Sequence, residues 1–393
     1  MARRADDRDV LIAGAGLPGL ALAVALARQG LSVTIADRAA VVAETPQPGT
    51  WDARVYAISP GSAAFLRAIG AWEALPEDRL APVESMHIEG DRGARLAFDA
   101  YDLAERALAW IVEERVLRAA LIGLVHASGV EVVAPATFAS LAWTPGRGAL
   151  ALDDGRGIAA KLVVGADGIR SWVRAAAGMV AEPRPYAQTA IVANFDCERR
   201  HGGIARQWFR ADGSVLAWLP LPGARISIVW SAPDALASEL AALDATALAD
   251  RVAEAGGRAL GILTTITPAA TFPLQFLRLP AVVAHRLALC GDAAHGIHPL
   301  AGQGVNLGFG DAQALAAVLA ERGPVDDPGA PLLLARYARR RAMPVAAMQG
   351  VTDGLVRLFG SALPGIARLR NLGLAAVSKL PPVRQALAHP ALR

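Results

Sequence analysis

The chain has 393 residues, 54% of them hydrophobic and 19% charged, which excludes a disordered protein and suggests two or three folded domains. Its 39 Lys and Arg against 36 Asp and Glu leave a formal charge of +3, too little to imply a nucleic-acid partner. The two cysteines, Cys197 and Cys290, form no C-x-x-C pattern, so neither a disulfide framework nor a zinc site is expected, and a reducing, cytosolic setting fits.

Arg3-Arg4 followed by the apolar run 10–27 has the outline of a signal peptide or membrane span. Asp6, Asp7 and Asp9 are wrong for a positive leading region, and Gly14, Gly16, Pro18 and Gly19 break the run near its start. A soluble reading is expected instead. The stretch "DVLIAGAGLPGLALAVALARQGLSVTIADR" then reads as a strand over 10–13, a tight turn, a helix over 20–28 and a second strand over 31–36. Gly14, Gly16 and Gly19 form G-x-G-x-x-G at the strand-to-helix junction. The first permits the turn, the second lets a pyrophosphate approach the backbone, and the third lets helix and strand pack closely. Asp37 ends the second strand, where a carboxylate can accept hydrogen bonds from an adenosine ribose and would repel a 2′-phosphate. The dinucleotide is therefore FAD or NAD rather than NADP, and Arg38 beside Asp37 joins the candidate cofactor contacts.

Further along, "KLVVGADGIRSWVR" repeats the passage from apolar strand to glycine turn to helix, with Ser171 as a cap and Gly178 closing the helix. Segments 82–98 and 186–276 are strand-like, and 240–255 reads as one alanine-rich helix. "HRLALC" reads as a buried strand, with Gly291-Asp292 at its carboxyl end, the edge where open α/β sheets bind ligands. A helix follows from about Gly304 through Ala320, and residues 326–331 form a loop. Asp292, His295 and His298 have one spacing that builds metal sites, but no further ligand completes a cage and Pro299 breaks the helical display, so no metal is expected. The six glycines of this stretch suit a flat ring lying against backbone amides at a helix N-terminus.

Three such clusters in this order resemble the aromatic flavin hydroxylases of the para-hydroxybenzoate hydroxylase fold. The motifs are Gly14/Gly16/Gly19, Gly165-Ala166-Asp167-Gly168 with Ser171 and Arg174, and Gly291-Asp292 with "HPLAGQGVNLGFGDA". Within that group the chain is most similar to the ubiquinone-biosynthesis hydroxylases, through "DARVYAISPGSAAFLRAIGAWEAL", "AWLPLPGARISIVWS" and "RYARRRAMPVAAMQGVTDGLVRLFG". The similarity spans nearly the whole chain. It implies an α/β protein with a discontinuous Rossmann-like FAD-binding domain (1–75, 108–180 and 281–335). An inserted mixed β-sheet substrate domain (76–107 and 181–280) and a C-terminal helical region (336–393) complete it.

The resemblance places Arg54 near the flavin, Arg115 at the phosphate and ribose, and Asp292 on the ribityl chain. Pro299, Gly302 and Gly304 would face the ring; Asp167, Gly291, Gln303, Val305 and Asn306 complete the expected cofactor set. It implies tightly bound FAD, reduced by NADPH or NADH, and hydroxylation of a lipophilic phenol with O2. A soluble aromatic substrate, prenyl-chain reduction and a non-catalytic scaffold of a biosynthetic complex are rival readings; the halogenase motif W-x-W-x-I-P is absent. No general base is assigned, and His295 and His298 also read as plain loop residues. From Gly354 onward there is no Asp or Glu, whereas Arg357, Arg368, Arg370, Lys379, Arg384 and Arg393 supply six cations. Two readings stand for this tail: a basic amphipathic surface on an anionic membrane, or a helix packed on the flavin domain.

Overall fold

The computed structural model describes residues 7–47, 49–323, 326–360, 365–378 and 392. Strand Asp7–Ala13 is central in an eight-stranded sheet and pairs in parallel with Gly157–Gly165 on one side and Val33–Ala36 on the other. Leu287–Leu289 and Glu131–Val133 extend the parallel set at either flank. Parallel strands are covered on both faces, and for that reason they read as unbroken apolar runs. Helices Leu17–Ala27, Glu114–Ala127 and Gly304–Ala320 bury Val10 and Ile12 on one face. The antiparallel hairpin Phe138–Trp143/Gly148–Leu152 covers Leu11 and Ala13 on the other. The fold is thus α/β, as expected, and the apolar run 10–27 is a buried strand and a buried helix inside it.

A nine-stranded sheet stands apart from this core. Its order runs His295–Gly296, Ala270–Arg278, Arg184–Cys197, Arg225–Pro233, Val215–Leu221, Ile204–Phe209, Ser85–Glu89, Arg95–Asp99, with Leu263–Thr265 pairing Arg184–Cys197 off this path. Segments 85–99 and 184–278, far apart in sequence, therefore build one surface, with His295–Gly296 added at its edge. Trp208, Trp218 and Trp230 point away from the central cavity, under helices Asp234–Ala241 and Ala245–Ala255. A three-stranded sheet of Val55–Ile58, Ala109–Glu113 and Ala81–Val83 lies between the large sheets in sequence and packs Ala57 and Ile111 against Ala205 and Leu221.

Local chemistry moves several boundaries. The expected 240–255 helix is two helices, because the Asp244 carboxylate accepts from the Ala247 N–H at 2.8 Å and starts a new one. The strand expected over 285–290 is only Leu287–Leu289. Arg286 takes a left-handed φ of 55°, and the chain doubles back on Val283–Ala284. The first helix begins at Leu17, before the expected 20, because Pro18 sits in its first turn where no N–H is needed. Ser171 caps Trp172–Ala176 through the Arg174 N–H at 3.0 Å, as read from the sequence.

Helix Pro331–Gly360 and helix Ile366–Ser378 close the structure. Arg370 is 7% exposed. It is ion-paired with Asp91 of the Ser85–Glu89/Arg95–Asp99 hairpin, donates to the Leu358 and Phe359 carbonyls at 2.9 and 3.0 Å, and lies over the Phe359 ring. This corrects the membrane reading for Arg370, which is committed to packing; Arg368 is exposed, and Lys379, Arg384 and Arg393 lie outside the described residues. No described helix is long and apolar enough to cross a membrane.

Gly14 and Gly16 separate two demands on glycine. Gly14 has φ +114°, and a Cβ there would lie 2.2 Å from the Ala166 carbonyl oxygen, whereas Gly16 is extended and a Cβ would meet nothing within 4 Å. Gly14→Ala should destabilise the protein by about 3 kcal/mol or more. Gly16→Ala should stay within about 1 kcal/mol. Urea titration of both variants measures the difference.

Candidate active site

The three glycine turns meet. A Cβ on Gly19 would lie 2.3 Å from the Gly14 carbonyl oxygen and 3.3 Å from the Ala166 side chain, which ties the second turn to the first. Pro18 lies between Gly291 and Gly308: added Cβ atoms there would sit 3.4 and 2.6 Å from its Cγ, which ties the third turn to the first. Arg174 crosses from the second turn to the third by donating to the Ala293 carbonyl at 2.9 Å. Beside these turns opens a cavity of about 1830 Å³, roughly twice the upper end for an ordinary ligand pocket.

One wall is charged. Arg54 donates from Nε to Glu114 Oε2 at 2.9 Å, and its guanidinium lies over the rings of Tyr56 and Phe272. Tyr56 donates to the same Glu114 oxygen at 3.4 Å, and burial pushes its phenol well up. Asp292 lines the same side and acts electrostatically on Arg54 and Tyr56. Enclosure by protein raises its carboxyl pKa, with the charges of His295 and Arg54 acting the other way. Gly302, at φ +65°, backs onto Ala57, whereas a Cβ on Gly304 would meet nothing within 4 Å. Pro299, Gly302, Gln303, Gly304, Val305 and Asn306 all line the cavity.

Other expected residues shape the site from behind. Asp37 accepts from the Ala15 and Ala39 amides at 2.6 and 2.8 Å and so fixes the first glycine turn; Arg38 is exposed next to it. Both Asp167 oxygens are used locally, on Ser171 and the Val173 amide. The Asn306 side chain accepts from the Ser59 amide at 3.0 Å and donates to the Ala57 carbonyl at 2.8 Å, sewing the Gly304–Ala320 helix to strand Val55–Ile58. Arg115 donates to Thr50 and pairs with Glu113 at 3.6 Å, while its buried Nε has no partner among the described residues.

The histidines do not converge on a common point. His295 Nε2 donates to Asp311 Oδ2 at 2.6 Å, and His298 Nε2 donates to Gln188 Oε1 at 2.9 Å. Burial lowers the His298 pKa to about 4 and keeps the ring neutral. No group of three or more His, Cys, Asp or Glu side chains able to hold a metal occurs among the described residues.

Sequence reasoning missed Tyr56, Glu114, Arg118, Asp311 and Arg341. Arg118, one turn beyond Glu114, donates to the Ala15 carbonyl at 2.5 Å and so reaches the first glycine turn. Asp311 is fully enclosed and accepts from the Gly291 amide, His295 and Arg341 Nε at 2.8, 2.6 and 2.5 Å. Burial alone would raise the Asp311 carboxyl, but His295 and Arg341 hold it below the usual range. Burial would lower the His295 pKa, yet Asp311 raises it.

The opposite wall is the inner face of the nine-stranded sheet. One cross-strand row there is Gln207, Ala217, Val229 and Val192. The next row runs from Phe209 to Ala190 and carries Ser231 as its single hydroxyl. A cavity with backbone amides and charges on one side and an apolar sheet on the other suits a flat redox cofactor held against a lipophilic ring.

The fit to a flavin rests on open space beside Gly16 and Gly304, an Asp292 carboxylate open to the cavity and the orphan Nε of Arg115. These features define a flavin-dependent monooxygenase of the Rossmann-like class. The FAD binding domain family model matches residues 7–351, and the chain belongs to that family. It is 37% identical over 383 residues to the ubiquinone hydroxylase UbiL of Rhodospirillum rubrum, covering 96% of this chain and 87% of that protein. It is 36% identical to the 3-demethoxyubiquinol 3-hydroxylase of Escherichia coli, covering 97% of each. Among solved structures, P. aeruginosa PqsL in complex with 2-aminobenzoylacetate superposes with a TM-score of 0.77 at 25% identity, covering 94% of this chain and 99% of that one.

Asp311→Asn leaves Arg341 and His295 without their buried counter-charge and should cost about 3–5 kcal/mol of stability near neutral pH. Because the folded pKa of Asp311 is depressed, its contribution is complete above the ordinary 3.8 and is lost as the pH falls through the folded value. The gap between variant and wild type in thermal unfolding should therefore narrow on acidification below pH 3.8.

Proposed function

We propose that this enzyme hydroxylates a lipophilic phenol ring on the route to ubiquinone, using FAD, O2 and NADPH or NADH. The observation that carries this reading is the two-sided cavity, with charges and glycine amides on one wall and the apolar sheet on the other. The names of the two relatives described above support the pathway.

In this reading Gly14, Gly16, Gly19, Asp37 and Arg38 hold the adenosine and pyrophosphate end, with Arg115 and Arg118 supplying positive charge. Asp292 binds the ribityl chain, and Gly291, Pro299 and Gly302–Gly304 lie along the ring, with Val305 and Asn306 behind them. Asp167, which also shapes the second glycine turn, completes the cofactor set. The flavin domain comprises 1–75, 108–180 and 281–335, the substrate domain 76–107 and 181–280, and the helical region 336–393. When bound, FAD supplies hydride acceptance from the nicotinamide and activation of O2 for ring hydroxylation. The chain's own groups orient the ring and exclude water. Asp292 and Arg54 set the field across the cofactor, and the helix Gly304–Ala320 directs its positive end at the ring-facing loop.

We also place a peripheral membrane contact on the last helices. Met343 and Leu372, which do not line the cavity, are 75 and 65% exposed, and Arg357 and Arg368 lie on the same two helices. Arg368→Glu with Leu372→Glu should reduce sedimentation with anionic vesicles severalfold, and undiminished sedimentation removes this contact.

The activity is tested with purified holoenzyme, a polyprenylated phenol and NADH or NADPH. Expected is a product heavier by one oxygen atom, which carries ¹⁸O when ¹⁸O2 is supplied. Turnover of soluble phenols only, or nicotinamide oxidation yielding hydrogen peroxide alone, overturns the proposed substrate.

A further inference from the structure

Gln207 has no structural task that its neighbours would explain. It is 4% exposed, lies on strand Ile204–Phe209 and lines the cavity; no described residue hydrogen-bonds its side-chain amide. The alternation along the strand settles its direction: Ala205 and Phe209 belong to the clusters on the cavity side, and Trp208 to the cluster beneath the helices. Its cross-strand row is otherwise wholly apolar. An amide in such surroundings carries a desolvation penalty unless a partner arrives.

Its place in the cavity can be fixed from both sides. Phe209, two residues on, shares an apolar cluster with Leu300 of the ring-facing loop. Ala205, two residues back, shares another with Ala57, against which Gly302 packs. At about 3.3 Å per residue, Gln207 is within about 7 Å of both positions, opposite the loop expected to carry the flavin ring.

We propose that Gln207 is a specificity-determining residue whose amide hydrogen-bonds a ring oxygen of the phenolic substrate. The proposal rests on the hydroxylase reading above and deepens it: the apolar rows around Gln207 accept a lipophilic molecule, and its amide selects those that carry oxygen on the ring. A site built to pair a substrate hydroxyl disfavours the analogue lacking it, because its own polar group is then stranded.

The test compares a prenylated phenol with its deoxy counterpart, reading dissociation constants from the absorbance of the bound flavin in wild type, Gln207→Leu and Gln207→Met holoenzyme. Wild type should bind the phenol at least about 10-fold more tightly, and both variants should bring the two ligands within about 3-fold. FAD content should be unchanged. The melting temperature without substrate should be equal or higher, since an amide that has no partner in the free protein stabilises nothing. A phenol preference that survives in the variants overturns the proposal. So does misfolding of both variants, which would show the amide to be paired in the free protein. If wild type discriminates between the ligands yet forms no hydroxylated product, the hydroxylase reading fails while the role of Gln207 in recognition stands.

Discussion

Close approach of backbone to backbone is the constraint from which the rest of the structure follows. At Gly14 and Gly19 there is no room for a Cβ between the first turn and the Ala166 segment, and Gly308 leaves none beside Pro18. Three chain segments separated by more than a hundred residues are thereby held within van der Waals reach. Their strands emerge side by side at the carboxyl edge of one parallel sheet, so the turns come together there, and parallel pairing makes that edge the natural ligand site.

The packing alone would leave the third turn free to shift, and buried charge prevents this. Asp311 takes hydrogen bonds from the Gly291 amide, from His295 and from Arg341 of helix Pro331–Gly360. The turn that presents Asp292 is thus tied both to the helix that follows it and to the helical cover of the cavity. A buried ion pair adds little net stability over a well-packed apolar equivalent, but losing one partner is severe, so the network favours one geometry over its neighbours. Arg370 with Asp91 performs the same service elsewhere, fastening helix Ile366–Ser378 to the Ser85–Glu89/Arg95–Asp99 hairpin.

What could be read from the sequence follows from this division. The glycine clusters were legible because glycine is needed where no side chain fits, and the flanking strand and helix patterns are local. The fold class came with them. Asp311 and Arg341 were not legible, since a buried aspartate in a helix looks like any surface aspartate until its partner, 30 residues away, is seen. The tail around Arg370 was left between two readings for the same reason: charge in a tail suggests solvent, and Asp91 lies 279 residues earlier. The break at Asp244 hides inside a run of good helix formers. Gln207 escaped because its strand, "IARQWF", is covered on both faces, so no apolar–polar alternation marks the inner one.

The two walls of the cavity also explain why charge and selectivity are kept apart. Arg54, Glu114, Tyr56 and Asp292 cluster on the side of the glycine turns, where ionic groups can pair with one another and with a charged cofactor. The sheet opposite contributes mainly methyl and ring surface, which gains free energy from any apolar ligand in proportion to the area it buries and barely distinguishes one ring from another. Discrimination must then come from a small number of polar groups that lose water and recover a bond only with the correct ligand. A charge in that row would bind more strongly but would need its own counter-ion in a dry place. A neutral amide meets the requirement at a smaller desolvation penalty than a charge, and the otherwise apolar row that carries Gln207 is the outcome that this balance favours.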